Sequence, residues 1–159
     1  MTTDGERLTH LDEHGAAHMV DVSDKDETRR EATAQAVLRS RPDVVERLIA
    51  GDLPKGEALA VARIAAIQAA KQTSNLIPLC HPLPLSAVSV EFEPAGDAVR
   101  IVVTVRTTGR TGVEMEALTA ATVGALTLYD MVKGVDRAAR ITDAEVLAKS
   151  GGKSGDWRR

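Results

Sequence analysis

A chain of 159 residues has room for one core of ordinary size, and at 43% hydrophobic residues it can bury that core without disulfide or metal staples. Aromatic residues make up only 2%, which leaves Ala, Val, Leu and Ile to fill the interior and excludes nucleic-acid recognition by base stacking. The balance of 20 Lys and Arg against 23 Asp and Glu, a net charge of −3, excludes a general polyanion-binding surface, so any anion site must be a local cluster.

Residues 1–17 are polar and without a clear period, and are expected to form a mobile N-terminal arm. A short strand is expected over 18–22, followed by an inserted helical pair. The first helix of that pair covers 24–39, and the second is opened by Pro42 and closed by Gly51. A further helix over 57–72 carries Leu59, Ala62, Arg63, Ala66, Ala69 and Ala70 at helical spacing. Pro78, Pro82 and Pro84 then fix φ and forbid helix, so Leu79, Cys80 and His81 lie on a rigid extended segment.

Val88, Val90 and Phe92 alternate with polar residues, as do Val99, Ile101, Val103 and Val105 after the Pro94-Ala95-Gly96-Asp97 turn. This pattern is a β-hairpin with one buried face. A long helix over 113–135 follows the Gly109-Arg110-Thr111-Gly112 turn, and a last strand over 140–147 runs into a flexible basic, glycine-rich tail at 149–159. Without the inserted pair the order is strand, helix, strand, strand, helix, strand. That is the ferredoxin-like α+β arrangement, an antiparallel sheet with two helices on one face, in a single domain spanning 18–148.

Several side chains in this frame can do chemistry. Glu114 and Glu116 open the long helix, where carboxylates offset the positive end of its dipole, so their placement has a structural explanation as well as a functional one. Asp130 lies near the opposite end, where a carboxylate needs a cation, and Lys133 at i+3 can supply it. Glu116 and Asp130 are separated by about 21 Å of helix. Because the two helices run antiparallel, Lys71, Cys80 and His81 are expected at the Glu116 end and Lys55 at the Asp130 end. The chain then carries two half-sites that a two-fold dimer would join into complete ones.

Lys55 is either a solvated surface lysine or a phosphate ligand beside free helix N–H groups. His81 is either a structural hydrogen-bonding group or a general acid/base. Metal chemistry finds little support: Cys80 is the one cysteine, and His10, His14 and His18 share a face only if a helix passes through Gly15. The tail lacks the spacing of a nucleotide-binding phosphate loop and suits a basic lid over an anionic substrate. With one cysteine, no opening basic-then-apolar segment and no run long enough to span a bilayer, a cytoplasmic setting is expected.

Three runs carry a resemblance. His18-Met19-Val20-Asp21-Val22-Ser23, Leu76 through Leu83, and Thr111 through Ala120 resemble the cyclic pyranopterin monophosphate synthase family, the molybdenum cofactor biosynthesis protein C family. Tyr129-Asp130-Met131 with Lys133, and the stretch from Leu147 to Asp156, extend it over residues 8–156. The resemblance implies a lyase. It would rearrange 3′,8-cyclo-7,8-dihydroguanosine 5′-triphosphate to cyclic pyranopterin monophosphate and release pyrophosphate, in a homohexamer built as a trimer of dimers with sites at the dimer interface. It implies no resident cofactor, with Mg²⁺ at most a counter-ion of the triphosphate. By motif it makes Asp130 the catalytic acid/base beside Lys55 and Lys133. Leu79, Cys80, His81, Met115 and Glu116 become substrate-binding positions, with Glu114, Lys71 and Arg30 also lining the site. Two other classes stay open: a non-catalytic oligomeric nucleotide binder, which would bind without turnover, and a metal-dependent hydrolase, which a chelator would inhibit.

Overall fold

A computed structural model describes residues 9–159. In chain order the elements are β1 (Thr28–Arg39), α1 (Pro42–Ala50), α2 (Ala58–Leu76), β2 (Leu85–Ala95), β3 (Ala98–Gly109), α3 (Glu114–Val132), β4 (Arg140–Ser150) and β5 (Trp157–Arg158). The strands form one antiparallel sheet in the order β2-β3-β1-β4-β5, the ferredoxin-like order extended by one short strand. The long hairpin, α3 and β4 fall where alternation and turn residues place them.

The start of the chain does not follow the expected pattern. The predicted strand over 18–22 is absent, and the predicted helix over 24–39 is instead the central strand β1, so the inserted helical pair reduces to α1 alone. Ala32, Ala34, Ala36 and Leu38 alternate into the core, while Glu31, Thr33 and Gln35 face the other side of the sheet. Ala, Arg, Glu and Gln favour helices in isolation, but β1 gains a twelve-residue ladder with β3 and a second ladder with β4. Small side chains on its buried face also let α3 lie close. Residues 18–22 spend a backbone carbonyl, that of Val20, on His81 rather than on a neighbouring strand.

Residues 1–8 of the expected arm lie outside the described residues. Its remainder turns back at Asp12, whose carboxylate accepts the His14 and Ala16 N–H groups, and makes one bridge between Leu11 and Ala17. At the other end, the expected tail begins inside β4 and returns as β5, because Trp157 and Arg158 pair with Lys149 and Ala148.

α1 starts at Pro42 and stops at Gly51, whose φ of +72° closes the helix as expected. α2 runs to Leu76, four residues past the expected end, and stops two residues short of Pro78. The core between α2, α3 and the sheet is almost entirely Ala, Val, Leu and Ile. Gly124 on α3 sets the spacing there: a Cβ would lie 3.3 Å from Ile101 and 3.5 Å from Ala66. With glycine at that point α3 sits tightly on both β3 and α2.

Candidate active site

The first turn of α3 forms one wall of a cavity of about 310 Å³. Glu114, Met115 and Glu116 face Leu79, Cys80 and His81 from the proline-fixed segment, and Val20, Val22, His10 and Lys25 are also on the lining. The structure therefore brings together the sequence-predicted residues of this end except Lys71. His81 Nε2 lies 2.7 Å from the Val20 carbonyl, and since a carbonyl oxygen only accepts, Nε2 is the donor in this contact. Glu116 is only 4% exposed. Burial pushes its carboxyl up to about 7, with the neighbouring Glu114 charge adding to the effect. Burial, and then the proximity of Glu116, also pushes the Cys80 thiol up, so it stays protonated at neutral pH.

A second cavity, of about 520 Å³, shares Lys25, Thr111 and Gly112 with the first. Its lining holds four cations, Lys25, Arg30, Arg110 and Lys153, against one carboxylate, Asp26. Arg30 is held in place by donating to the Gly109 carbonyl (3.0 Å) and the Arg110 carbonyl (3.1 Å). The loop after β4 packs onto it so closely that a Cβ on Gly152 would lie 2.1 Å from Arg30 Nη1, and one on Gly151 would lie 2.1 Å from the Arg29 carbonyl oxygen. Both glycines also have positive φ, so no other residue fits this approach. Lys149 reaches Glu114 at 3.5 Å and donates to Ser154 at 2.6 Å, linking the loop to the first cavity. The hydroxyl of Thr28, on the same lining, is buried without a hydrogen-bond partner among the described residues.

Asp130 occupies the far end of α3. Its two carboxylate oxygens receive Lys55 and Lys133, each at 2.8 Å. Hydrogen bonds first from Lys133 and then from Lys55 hold the carboxyl down to about 2, and Asp130 raises Lys133 in return. Gly56, at φ +94°, turns the chain between Lys55 and α2, which leaves the lysine directed at Asp130 across 75 residues of sequence. The cation that Asp130 requires near a helix C-terminus is thus supplied twice.

The half-sites lie at opposite ends of α3, about 21 Å apart along its axis. Lys71 joins neither within one chain. It lies exposed on α2, whose buried face is Ala62, Ala66, Ala69, Ala70 and Thr73, so its position in the helical period turns it outward. Lys25 and Arg110 escape the sequence reading. Lys25 is hidden in an acidic run, whereas Arg110 carries a usable signal as a cation inside a glycine-flanked turn that opens a helix. Among the described residues no group of three or more His, Cys, Asp and Glu is disposed to hold a metal ion.

The MoaC family model matches residues 19–152. The chain belongs to the MoaC family. Among its relatives, the cyclic pyranopterin monophosphate synthase of Corynebacterium efficiens is 59% identical over 150 residues, covering 94% of this chain and 97% of that protein. The protein of the same name from Herpetosiphon aurantiacus is 61% identical over 153 residues, 95% and 93% of the two chains, and that of a Nocardioides species is 59% identical over 162 residues, 100% and 99%. The match spans every residue of both cavities from Val20 through Gly152, as well as the Asp130 cluster.

Proposed function

We propose that this MoaC family chain converts 3′,8-cyclo-7,8-dihydroguanosine 5′-triphosphate to cyclic pyranopterin monophosphate with release of pyrophosphate, in the biosynthesis of the molybdenum cofactor. The observation that carries the reading is the junction of two unlike cavities. One holds a buried carboxyl titrating near neutrality beside His81, and the other holds four cations. A nucleotide with a reactive ring at one end and a triphosphate at the other needs both. Opening a purine ring and reclosing it as a pterin requires several proton transfers, for which Glu116, His81 and Asp130 are suited. Forming a cyclic phosphate while expelling pyrophosphate requires cations to hold the leaving charge, a role for Lys25, Arg30 and Arg110, while Lys153 adds to the binding of the triphosphate.

Asp130, ionised and flanked by Lys55 and Lys133, is the catalytic acid/base, and it reaches the ring from a second copy of the chain. Leu79, Cys80, His81, Glu114, Met115 and Glu116 form the ring-binding end. The working unit is a two-fold dimer within a hexamer, a trimer of dimers. Val61 and Ile64 on α2 and Leu126 on α3 are each about half exposed on the outer helix face and suit such a contact, as does the outward Lys71, which would meet substrate only across it. No resident cofactor is called for, and Mg²⁺ enters only as a counter-ion of the triphosphate. The setting is cytoplasmic, and no helix among the described residues is long and apolar enough to cross a membrane. The test is to supply the cyclised guanosine triphosphate and measure product. Pterin and pyrophosphate are expected in equal amounts, and the absence of both from folded protein would overturn the reading.

A further inference from the structure

The loop that carries Lys153 is fastened at both ends. β4 stops at Ser150, and after Gly151–Asp156 the chain returns along the β4 edge with Trp157 opposite Lys149 and Arg158 opposite Ala148. A two-residue ladder is a weak hold. It is reinforced past its end by Arg159, which donates its backbone N–H to the Leu147 carbonyl at 2.9 Å and its Nε to the Val146 carbonyl at 3.1 Å. The same guanidinium lies 3.3 Å from the Glu145 carboxylate and 5.6 Å from the centre of the Trp157 ring. Glu145 also accepts the Gln35 amide at 2.9 Å, which ties the fastening to the central strand. Leu147 is the residue passed over by the β1–β4 register, which runs from Ala34 opposite Val146 to Thr33 opposite Ala148.

Within the loop, the Asp156 carboxylate accepts the Gly151 N–H at 3.3 Å, and the Gly155 N–H meets the Gly152 carbonyl at 3.3 Å. These contacts set Gly152, Lys153 and Ser154 on the wall of the basic cavity. Lys153 itself is exposed and makes no ion pair among the described residues. With three glycines at positive φ in this stretch, the loop backbone has little stiffness of its own. A lysine on a loop tethered at one end would spread over many positions, whereas one on a doubly tethered loop is pre-organised for an anion.

We infer that Trp157–Arg159 form a positioning clip, which holds the glycine-rich loop against the sheet edge and so keeps Lys153 over the phosphate-binding cavity. The clip acts through Lys153 and touches no reacting atom, and its role in turnover rests on the function proposed above. Covering the β4 edge would account for the ladder alone. A merely structural role predicts a lower melting temperature with unchanged kinetics.

The test compares the parent chain, a chain ending at Asp156, Lys153→Ala, and the two changes combined. Ending the chain at Asp156 should raise KM about tenfold with kcat within about twofold, as Lys153→Ala should, and the combination should be no worse than Lys153→Ala alone. An unchanged KM, or effects that multiply in the combination, would overturn the clip. If the shortened chain does not assemble, Arg159→Ala and Glu145→Gln cut the same fastening at full length. Amide exchange at Gly151, Gly152, Ser154 and Gly155, read without substrate, should quicken when the clip is cut, and unchanged exchange also overturns it. That measurement decides the clip even if the parent chain shows no turnover, a result that would count against the proposed function alone.

Discussion

α3 carries a carboxylate at each end, and the surroundings drive the two in opposite directions. Glu116 sits in the first turn, buried and without an ion pair among the described residues, and its carboxyl is pushed up to about 7. Asp130 sits in the last turns, half exposed, and two lysines hold its carboxyl down to about 2. Near neutral pH the first is poised to give or take a proton, while the second is ionised and escorted by two ammonium groups. Paired carboxylates whose environments separate their titrations commonly divide the acid and base work of a site. Here a single helix presents the two members to different places, about 21 Å apart along its axis, and under the function proposed above a second copy of the chain would complete the pair.

Removing the ionised member should cost most. Asp130→Asn keeps the size of the side chain and removes the titrating group, so turnover should fall about 10³-fold, while assembly persists and the melting temperature barely moves. Activity within about tenfold of the parent would dismiss Asp130 as the acid/base. Glu116→Gln should cost less, about 10²-fold, and should erase the limb of the pH–rate profile near pH 7. Stability offers a second measure of the same group. Between pH 4.5 and about 7 folded Glu116 keeps a proton that the unfolded chain has lost. The parent should therefore lose stability as pH rises through that window, by on the order of 3 kcal/mol, and the Gln variant should not. Denaturant titrations at pH 5 and pH 8 separate the two.

Lys55→Ala should weaken substrate binding about tenfold and make its salt dependence shallower, because one screened attraction is gone. It also removes one of the two groups holding Asp130 down, so the acid limb of the rate profile should move to higher pH. Equal salt dependence in variant and parent would place Lys55 outside the site. The smallest change tests the division between copies. When Glu116→Ala and Asp130→Ala chains are refolded together, random pairing makes half of the dimers mixed, and one of the two sites in each mixed dimer carries neither lesion. About one quarter of the parent activity should return. Mixed oligomers confirmed by mass but without recovery would mean that each site lies within one chain.

The parts of this picture that were legible in the sequence are those set by punctuation and period. Pro94 to Asp97 between two alternating runs marks the hairpin, and the prolines around Leu79, Cys80 and His81 mark the rigid segment that meets the first turn of α3. The topology alone places Lys55 near Asp130. β1 was not legible because alanine counts toward either pattern: Ala32, Ala34 and Ala36 satisfy a strand period, while their neighbours favour a helix. The titration of Glu116 depends on how deeply the fold buries one side of the first turn of α3, and no local spacing encodes that. Lys71 shows the converse, since it falls at the predicted end of the layer but on the solvent side of α2.

That one uninterrupted helix carries both carboxylates has a consequence for how the family can change. Each residue added to or removed from α3 between Glu116 and Asp130 shifts one end by about 1.5 Å and swings it by about 100°, so the separation of the half-sites comes only in coarse steps. A single deletion there would swing Asp130, with Lys133 beside it, off Lys55, and one made before Gly124 would also take that glycine off its seat between Ile101 and Ala66. Length variation among relatives should therefore accumulate in turns such as 94–97 and leave the nineteen residues of Glu114–Val132 constant in number. α3 acts as a gauge bar, and a mutational scan of insertions should find it the least forgiving stretch of the chain.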